Sequence, residues 1–217
     1  MKTIAVVPIK LNNERLPNKN IKKFDNGKPL CYYILNTLLN VKGIDEIFVY
    51  CSSPKIQDYI PTGIKYLKRK ESLDSSQTKM NEVLKCFAED VYADIYLMTH
   101  VTSPFIRAES IQESLNRVKH EDYDSAFAVQ KLQEFLWQDG KAFNYDLNNI
   151  PRTQDLPKVY CETSGFYIYK KEIILSYNRR IGFKPYLKEV SKIESIDIDE
   201  PEDFEIANSI FNTLILK

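Results

Sequence analysis

Residues 3–20 read T-I-A-V-V-P-I-K-L-N-N-E-R-L-P-N-K-N, and the fold turns on how that stretch is read. Residues 3–7 form an unbroken apolar run closed by Pro8. A strand with one wet face alternates apolar and polar side chains. A continuous run points instead to burial on both faces, as in a parallel sheet covered by helices. Behind the run comes a loop carrying Lys10, Arg15 and Lys19. It also holds Asn12 and Asn13, a residue type that tolerates left-handed backbone better than most. In open α/β sheets ligands bind beyond the carboxyl ends of the strands. A loop in that position can turn amides and cations toward a phosphate chain. Composition alone slightly favours a solvated basic turn, because no GxxxxGK[ST] phosphate loop is present.

Outward from this stretch, strand-like and helix-like patterns alternate. Pro29 stands at a helix start, and Leu30, Ile34 and Leu38 then repeat at four. Residues 46–50 (E-I-F-V-Y) read as a second strand. Met80, Val83, Leu84, Phe87 and Val91 form a helical stripe, and residues 94–98 the next strand, followed by a loop at 100–107. Ile111, Leu115 and Val118 mark a further helix, and residues 125–129 a further strand. This β-α-β-α-β order predicts an α/β fold with a mostly parallel, Rossmann-like doubly wound sheet, in one domain spanning 1–217. The rhythm breaks over about residues 131–160, where Trp137, Asp139-Gly140, Asn148-Asn149 and Pro151 mix, so this segment reads as an inserted arm. Residues 165–169 return to strand, and 193–198 are a last strand candidate leading into a helix at Pro201. Ile206, Ile210 and Phe211 are expected to form that helix's buried face.

Composition narrows the function. An apolar fraction of 43% with 12% aromatics supports a sizeable core. Thirty basic residues against thirty acidic ones leave no long-range field to attract nucleic acid or an anionic membrane, so a few placed cations must hold any anionic ligand. No run approaches the roughly 20 apolar residues of a membrane span, and no signal-peptide pattern is visible, so a cytoplasmic location is expected. Cys31, Cys51, Cys86 and Cys161 are scattered without CxxC pairs and read as reduced buried thiols.

The opening loop resembles the I-P-A-R-x-x-S-K-x-x-P-x-K-N motif of the CMP-N-acylneuraminate synthetase family through Pro8, Pro17, Lys19 and Asn20. Arg15 to Lys19 is similar to the R-L-P-G-K of CMP-Kdo synthetases. Further resemblances follow in the family's order: G-K-P-L at 27–30, Arg69, T-S-P at 102–104 with Arg107, and Asp124-Ser125. Arg152, Gln154 and Pro157, then 162–168, then D-I-D-E-P-E-D at 197–203, complete the series. Each motif is weak alone; eight in order are not. The resemblance implies a Mg²⁺-dependent cytidylyltransferase that moves CMP from CTP to a small acidic acceptor and releases pyrophosphate. It implies nucleotide contacts from Pro8, Ile9, Lys10, Asn12, Asn13, Arg15, Lys19, Asn20 and Arg69. It implies acceptor contacts from His100, Thr102, Ser103, Arg107, Arg152, Gln154 and Glu162. Lys10, Lys19, Asp197 and Asp199 are the expected catalytic groups. Asp197 and Asp199, two apart on a strand end, can point to one face, and two hard carboxylates suit Mg²⁺. Capping of the helix at Pro201 is the competing account of Asp199.

Some positions depart from the family pattern. Lys10 replaces an Arg, Asn13 a Ser, Glu14 a Lys and Ser52 an Asp, while His100 stands where relatives carry Gln or Asp. A loop histidine packed near Tyr96 is as good a reading of His100 as an acceptor contact. These departures leave the acceptor open among sialic-acid-like ulosonic acids, Kdo and phosphonates. A nucleotide-sugar glycosyltransferase and a degenerate nucleotide-binding subunit are the rival classes. In the relatives the arm is exchanged across a homodimer, and Phe135, Trp137, Phe143 and Tyr145 can supply such an interface here.

Overall fold

The computed structural model describes residues 1–215. Strand β1 (Thr3–Ile9) is buried along its whole length. Its side chains divide between two cores: Ala5, Val7 and Ile9 face one, Ile4 and Val6 the other. Both faces of the sheet are therefore covered, as the apolar run predicts. The first core takes helices α1 (Leu30–Leu39), α3 (Ala108–His120) and α5 (Pro201–Ile210). The second takes α2 (Met80–Asp90) and α4 (Lys171–Leu175). Leu30, Ile34, Leu35 and Leu38 of α1 are fully buried. Truncating any one to Ala would cost about 2–5 kcal/mol. Among the described residues no helix is long and apolar enough to cross a membrane.

The remaining sheet strands are β2 (Glu46–Cys51), β3 (Lys65–Lys68), β4 (Ile95–Thr99), β5 (Ser125–Leu132), β8 (Val159–Lys170) and β9 (Pro185–Glu189). Their order is β3-β2-β1-β4-β8-β5-β9. All run parallel except β8, which is antiparallel to both β4 and β5. Edge strands β3 and β9 had no sequence expectation. They are short, and K-Y-L-K and P-Y-L-K-E carry the lysines that keep edges from pairing with other chains.

Strands β5 and β8 form one long hairpin, with Leu132 opposite Val159. Residues 133–158 are its extended connection, which explains the break in the sequence rhythm. A two-rung ribbon, β6 (Trp137–Gln138) and β7 (Lys141–Ala142), forms within it. Trp137, Phe143, Leu147 and Ile150 lie exposed on this arm, Trp137 by 58%.

Four local expectations are corrected. Residues 193–198 do not form a strand; a turn at 192–195 leads into extended chain bound at single points to its neighbours. Ile206 is 56% exposed, and α5 buries Phe204 and Ala207, with Phe211 beyond, because its register is rotated from the one expected. The left-handed residue of the opening loop is Asn18 (φ 56°), not Asn12 or Asn13. Only Cys31 and Cys51 are buried; Cys86 is half-buried and Cys161 exposed, all as free thiols.

Candidate active site

Strand β1 is where the sheet order reverses, with β2 on one side and β4 on the other. Connections leave the two strand ends in opposite directions there and open a crevice. A cavity of about 340 Å³ sits in that crevice. Pro8, Lys10, Asn13, Lys19 and Asn20 reach it from the β1 loop, His100 and Thr102 from the β4 loop, and Arg69, Asp197 and Asp199 from further along the chain.

The β1 loop is held by its own side chains. Asn20 donates from Nδ2 to the Lys10 carbonyl at 2.7 Å, drawing the two ends of the loop together. Left-handed Asn18 admits the single turn at Lys19–Ile21 that aims Lys19 inward. Lys19 is only 7% exposed, and its Nζ donates to the Ile198 carbonyl at 2.7 Å and Asp199 Oδ1 at 3.1 Å. Burying an ammonium costs several kcal/mol unless it is paired and hydrogen-bonded, and these two acceptors provide that.

The same lysine fixes the acidic segment. Ile198 is buried in the core, its N–H bonds to the Thr102 carbonyl at 2.8 Å, and its own carbonyl accepts from Lys19. With Ile198 turned inward, its neighbours Asp197 and Asp199 both meet the cavity. Both acids therefore line one cavity, although the segment is not a ladder strand. Capping explains neither acid. Asp203 Oδ2 accepts the N–H groups of Asp199 and Glu200 at 2.9 and 2.8 Å, and Glu200 is the cap residue of α5. Burial alone would raise the Asp199 carboxyl, but Lys19 and Arg15 outweigh it and hold the group below its ordinary range. Asp197 Oδ1 is buried with no hydrogen-bond partner.

Arg69 follows β3 and is 3% exposed. Asp74 Oδ1 accepts from its Nε at 3.1 Å and from its Nη2, while Asp74 Oδ2 takes the Ser52 hydroxyl. Asp74, from the turn at Glu71–Asp74, thus ties Ser52 to Arg69. Sequence reasoning missed Asp74 because it lies five residues past Arg69 in a segment without apolar periodicity. Thr78, Met80 and Ser164 also line the cavity without having been foreseen.

His100 does not pack on Tyr96; its ring stands edge-on to Tyr167 with centroids 6.5 Å apart. Burial, then the charge of Arg180 and that of Lys19, push its pKa down to about 4 against the opposing pull of Asp199, so the imidazole is neutral near pH 7.

Other nominated residues lie elsewhere. Ile9 and Ser103 are buried outside the cavity lining. Asn12 opens onto a separate groove, and Arg15 pairs with Asp199 and Glu200 at 2.8 and 2.9 Å. Arg107 is bound to buried Glu194 at 2.8 Å on another side of the molecule. Arg152 and Gln154 are exposed on the arm, where Arg152 pairs with Asp155. Glu162 accepts from the Tyr167 hydroxyl at 2.5 Å and faces an adjoining hollow.

Among the described residues no cluster of three or more Asp, Glu, His or Cys forms a metal cage. The donor set fits a hard cation that keeps several waters and shares ligand oxygens, because it offers two carboxylates, one with a buried oxygen still free to bond.

Residues 4–215 match the family model described as Cytidylyltransferase. The N-acylneuraminate cytidylyltransferase of Streptococcus agalactiae is 26% identical over 216 residues, covering 94% of this chain and 52% of that protein. The pseudaminic acid cytidylyltransferase of Campylobacter jejuni is 23% identical, covering 97% of each. This chain spans about half the length of the first curated relatives it matches. A CTP complex of CMP:2-keto-3-deoxy-manno-octonic acid synthetase superposes with a TM-score of 0.75 at 16% identity, covering 98% of this chain and 99% of that one, which establishes the shared fold.

Proposed function

The chain belongs to the cytidylyltransferase family, and from that premise we propose that it transfers CMP from CTP to a small acidic acceptor of the sialic-acid type, with Mg²⁺, releasing pyrophosphate. One observation carries this reading beyond the family: buried Lys19 and the unpartnered oxygen of Asp197 face one cavity at the sheet's reversal point. The bonds of Lys19 serve the fold, but a vacant carboxylate oxygen lining the same cavity makes little sense as fold stabilisation. It suits a triphosphate brought in together with a cation.

In this reading an acceptor hydroxyl attacks the α-phosphorus of CTP and gives up its proton to solvent. The new P–O bond forms as the bond to the β-phosphate's bridging oxygen breaks, and pyrophosphate leaves with that electron pair. Lys10 and Lys19 hold the phosphates, and Asp197 and Asp199 would hold the metal. When bound, the ion supplies positive charge to the phosphate oxygens. Asp74 sets the plane of Arg69, and Asn20 sets the loop around the nucleotide. Neutral His100 adds a hydrogen-bonding group without adding charge. The two named relatives are cytidylyltransferases for N-acylneuraminate and pseudaminic acid, which supports a sialic-acid-like acceptor over a phosphonate.

The test is pyrophosphate release with each nucleotide against N-acetylneuraminic, legionaminic and Kdo acids and a simple phosphonate. CTP with an ulosonic acid is the expected productive pair. Release with phosphonates alone would move the acceptor class. CTP binding without release from any pair would reduce the chain to a nucleotide-binding subunit. We further propose that the arm joins two copies, with its exposed aromatics as the contact.

A further inference from the structure

Beside the phosphate cavity lies a second hollow of about 410 Å³, and Met80 lines both. Lys79, Arg179 and Arg180 face it against a single carboxylate, Glu162. Three cations and one anion leave a net charge of +2 in a concave site. That is a strong local field on a chain whose charges otherwise balance.

The fold builds this hollow deliberately. Asn178, left-handed at φ 51°, turns the chain after α4, and its carbonyl accepts from Asn81 Nδ2 at 2.9 Å. Residues 179–181 are thereby laid over the start of α2. Arg180 then stacks on the buried Tyr167 ring, 4.1 Å from its centroid, which fixes the plane of the guanidinium. Its remaining contacts are weak: 3.3 Å to the Tyr167 hydroxyl and 3.5 Å to Glu162. An arginine offers five N–H donors in a planar fork matched to an oxyanion. Here the fork is oriented and under-used. Arg179 and Lys79 have no carboxylate partner among the described residues.

His100 links the first cavity to Tyr167, the ring on which Arg180 stacks. It lines the first cavity, stands edge-on to Tyr167, and feels the charges of Lys19 and Asp199 on one hand and Arg180 on the other. Of the cations that the sequence nominated for the acceptor, Arg107 is held by buried Glu194, and Arg152 lies exposed on the arm beside Asp155.

We propose that Arg180, assisted by Arg179 and Lys79, receives the anionic group of the acceptor, so that Arg180 rather than Arg107 determines acceptor specificity. This inference rests on the cytidylyltransferase reading for the word acceptor, but the anion site itself stands or falls separately. The probes are N-acetylneuraminate, 3-deoxy-manno-octulosonate and 2-aminoethylphosphonate, titrated by ligand-observed NMR onto protein saturated with CTP. At least one should bind wild type. Arg180→Gln should weaken that binding tenfold or more while CTP affinity by calorimetry stays within twofold. Arg180→Lys should recover part of the loss, and Arg107→Gln should leave it unchanged. Should Arg180→Gln perturb folding, Arg179→Gln carries the same comparison at an exposed position with a smaller expected loss. Equal binding of the probe to wild type, Arg180→Gln and Arg179→Gln overturns the proposal, and so does binding of no probe to wild type. Binding that depends on Arg180 without pyrophosphate release would instead overturn the activity and leave the anion site in place.

Discussion

Asp197 carries a buried oxygen without a hydrogen-bond partner, whereas Asp199 is tied to Lys19 and Arg15. Exchange for Asn should therefore separate stability from catalysis. Asp197→Asn should melt at or slightly above wild type, since it removes an unsatisfied charge, yet lose on the order of 10²-fold in turnover. Asp199→Asn should lose a similar factor and also about 1 kcal/mol of stability, because buried Lys19 loses its charged partner while the half-exposed carboxylate limits the cost. Thermal melts and pyrophosphate release across Mg²⁺ concentration test both. Wild-type turnover and Mg²⁺ dependence in both variants would mean the pair is purely structural. His100 yields a pH prediction. The unfolded imidazole protonates below about 6.5 and the folded one only below about 4. The unfolded state thus takes up the proton first, and stability falls as pH drops through that window. Urea midpoints between pH 4 and 7 should show this slope in wild type and a shallower one in His100→Gln. At this scale the sequence was legible where a motif names a side chain that reaches the cavity, as with Lys19, Asn20, Arg69 and Asp197. It was not legible for Asp74 and Arg180, whose roles arise from contacts across the fold. Nor could it show that Glu194 engages Arg107, since the two lie 87 positions apart.

Among elements, β1, β4, α1, α2 and α3 were readable because each buries a face with its own period, and periodicity is what a sequence displays. The 193–198 segment mimicked a strand because Ile196 and Ile198 alternate with acids. In fact Ile198 is pinned by Thr102 and Lys19 instead of a ladder. Edge strands β3 and β9 hid because solvated edges lack an apolar run. Strand β8 explains the glycine of its motif. A Cβ on Gly165 would stand 2.8 Å from Ile106 Cδ1 and 3.4 Å from Ala128 Cβ. Ile106 is buried, so shifting its side chain to admit the methyl would disturb the surrounding core, and Gly165→Ala should cost about 1–3 kcal/mol. Because Ile106 ends the loop that carries His100 and Thr102, the Michaelis constant for the acceptor should rise as well. A urea midpoint equal to wild type would show that the loop absorbs the methyl. The arm makes a separate prediction. Trp137→Ser with Phe143→Ser should convert a dimer of about twice 25.4 kDa into a monomer by light scattering. A wild type already monomeric at micromolar concentration would end the dimer reading.

For the whole molecule, the doubly wound plan and its reversal point at β1 place the cavity where anions and sheet ends meet, and most of that plan follows from the order of patterns along the chain. What the order of patterns hides is that one strand runs backwards. Strand β8 wedges between β4 and β5, which are not otherwise neighbours. A protein made from its amino end therefore spends part of its synthesis in an awkward state. By residue 132, β1 to β5 have all been produced, yet β4 shows a bare edge and β5 has no partner on it. Only after another 38 residues, once Lys170 has emerged, can the gap close. The long-range pairing makes closure slow, and the exposed edges invite other chains in the interval. Because the arm is the first part to emerge after β5, a nascent chain reaches its proposed partner contact before its own sheet is whole. In the proposed dimer, assembly and folding would then compete during synthesis.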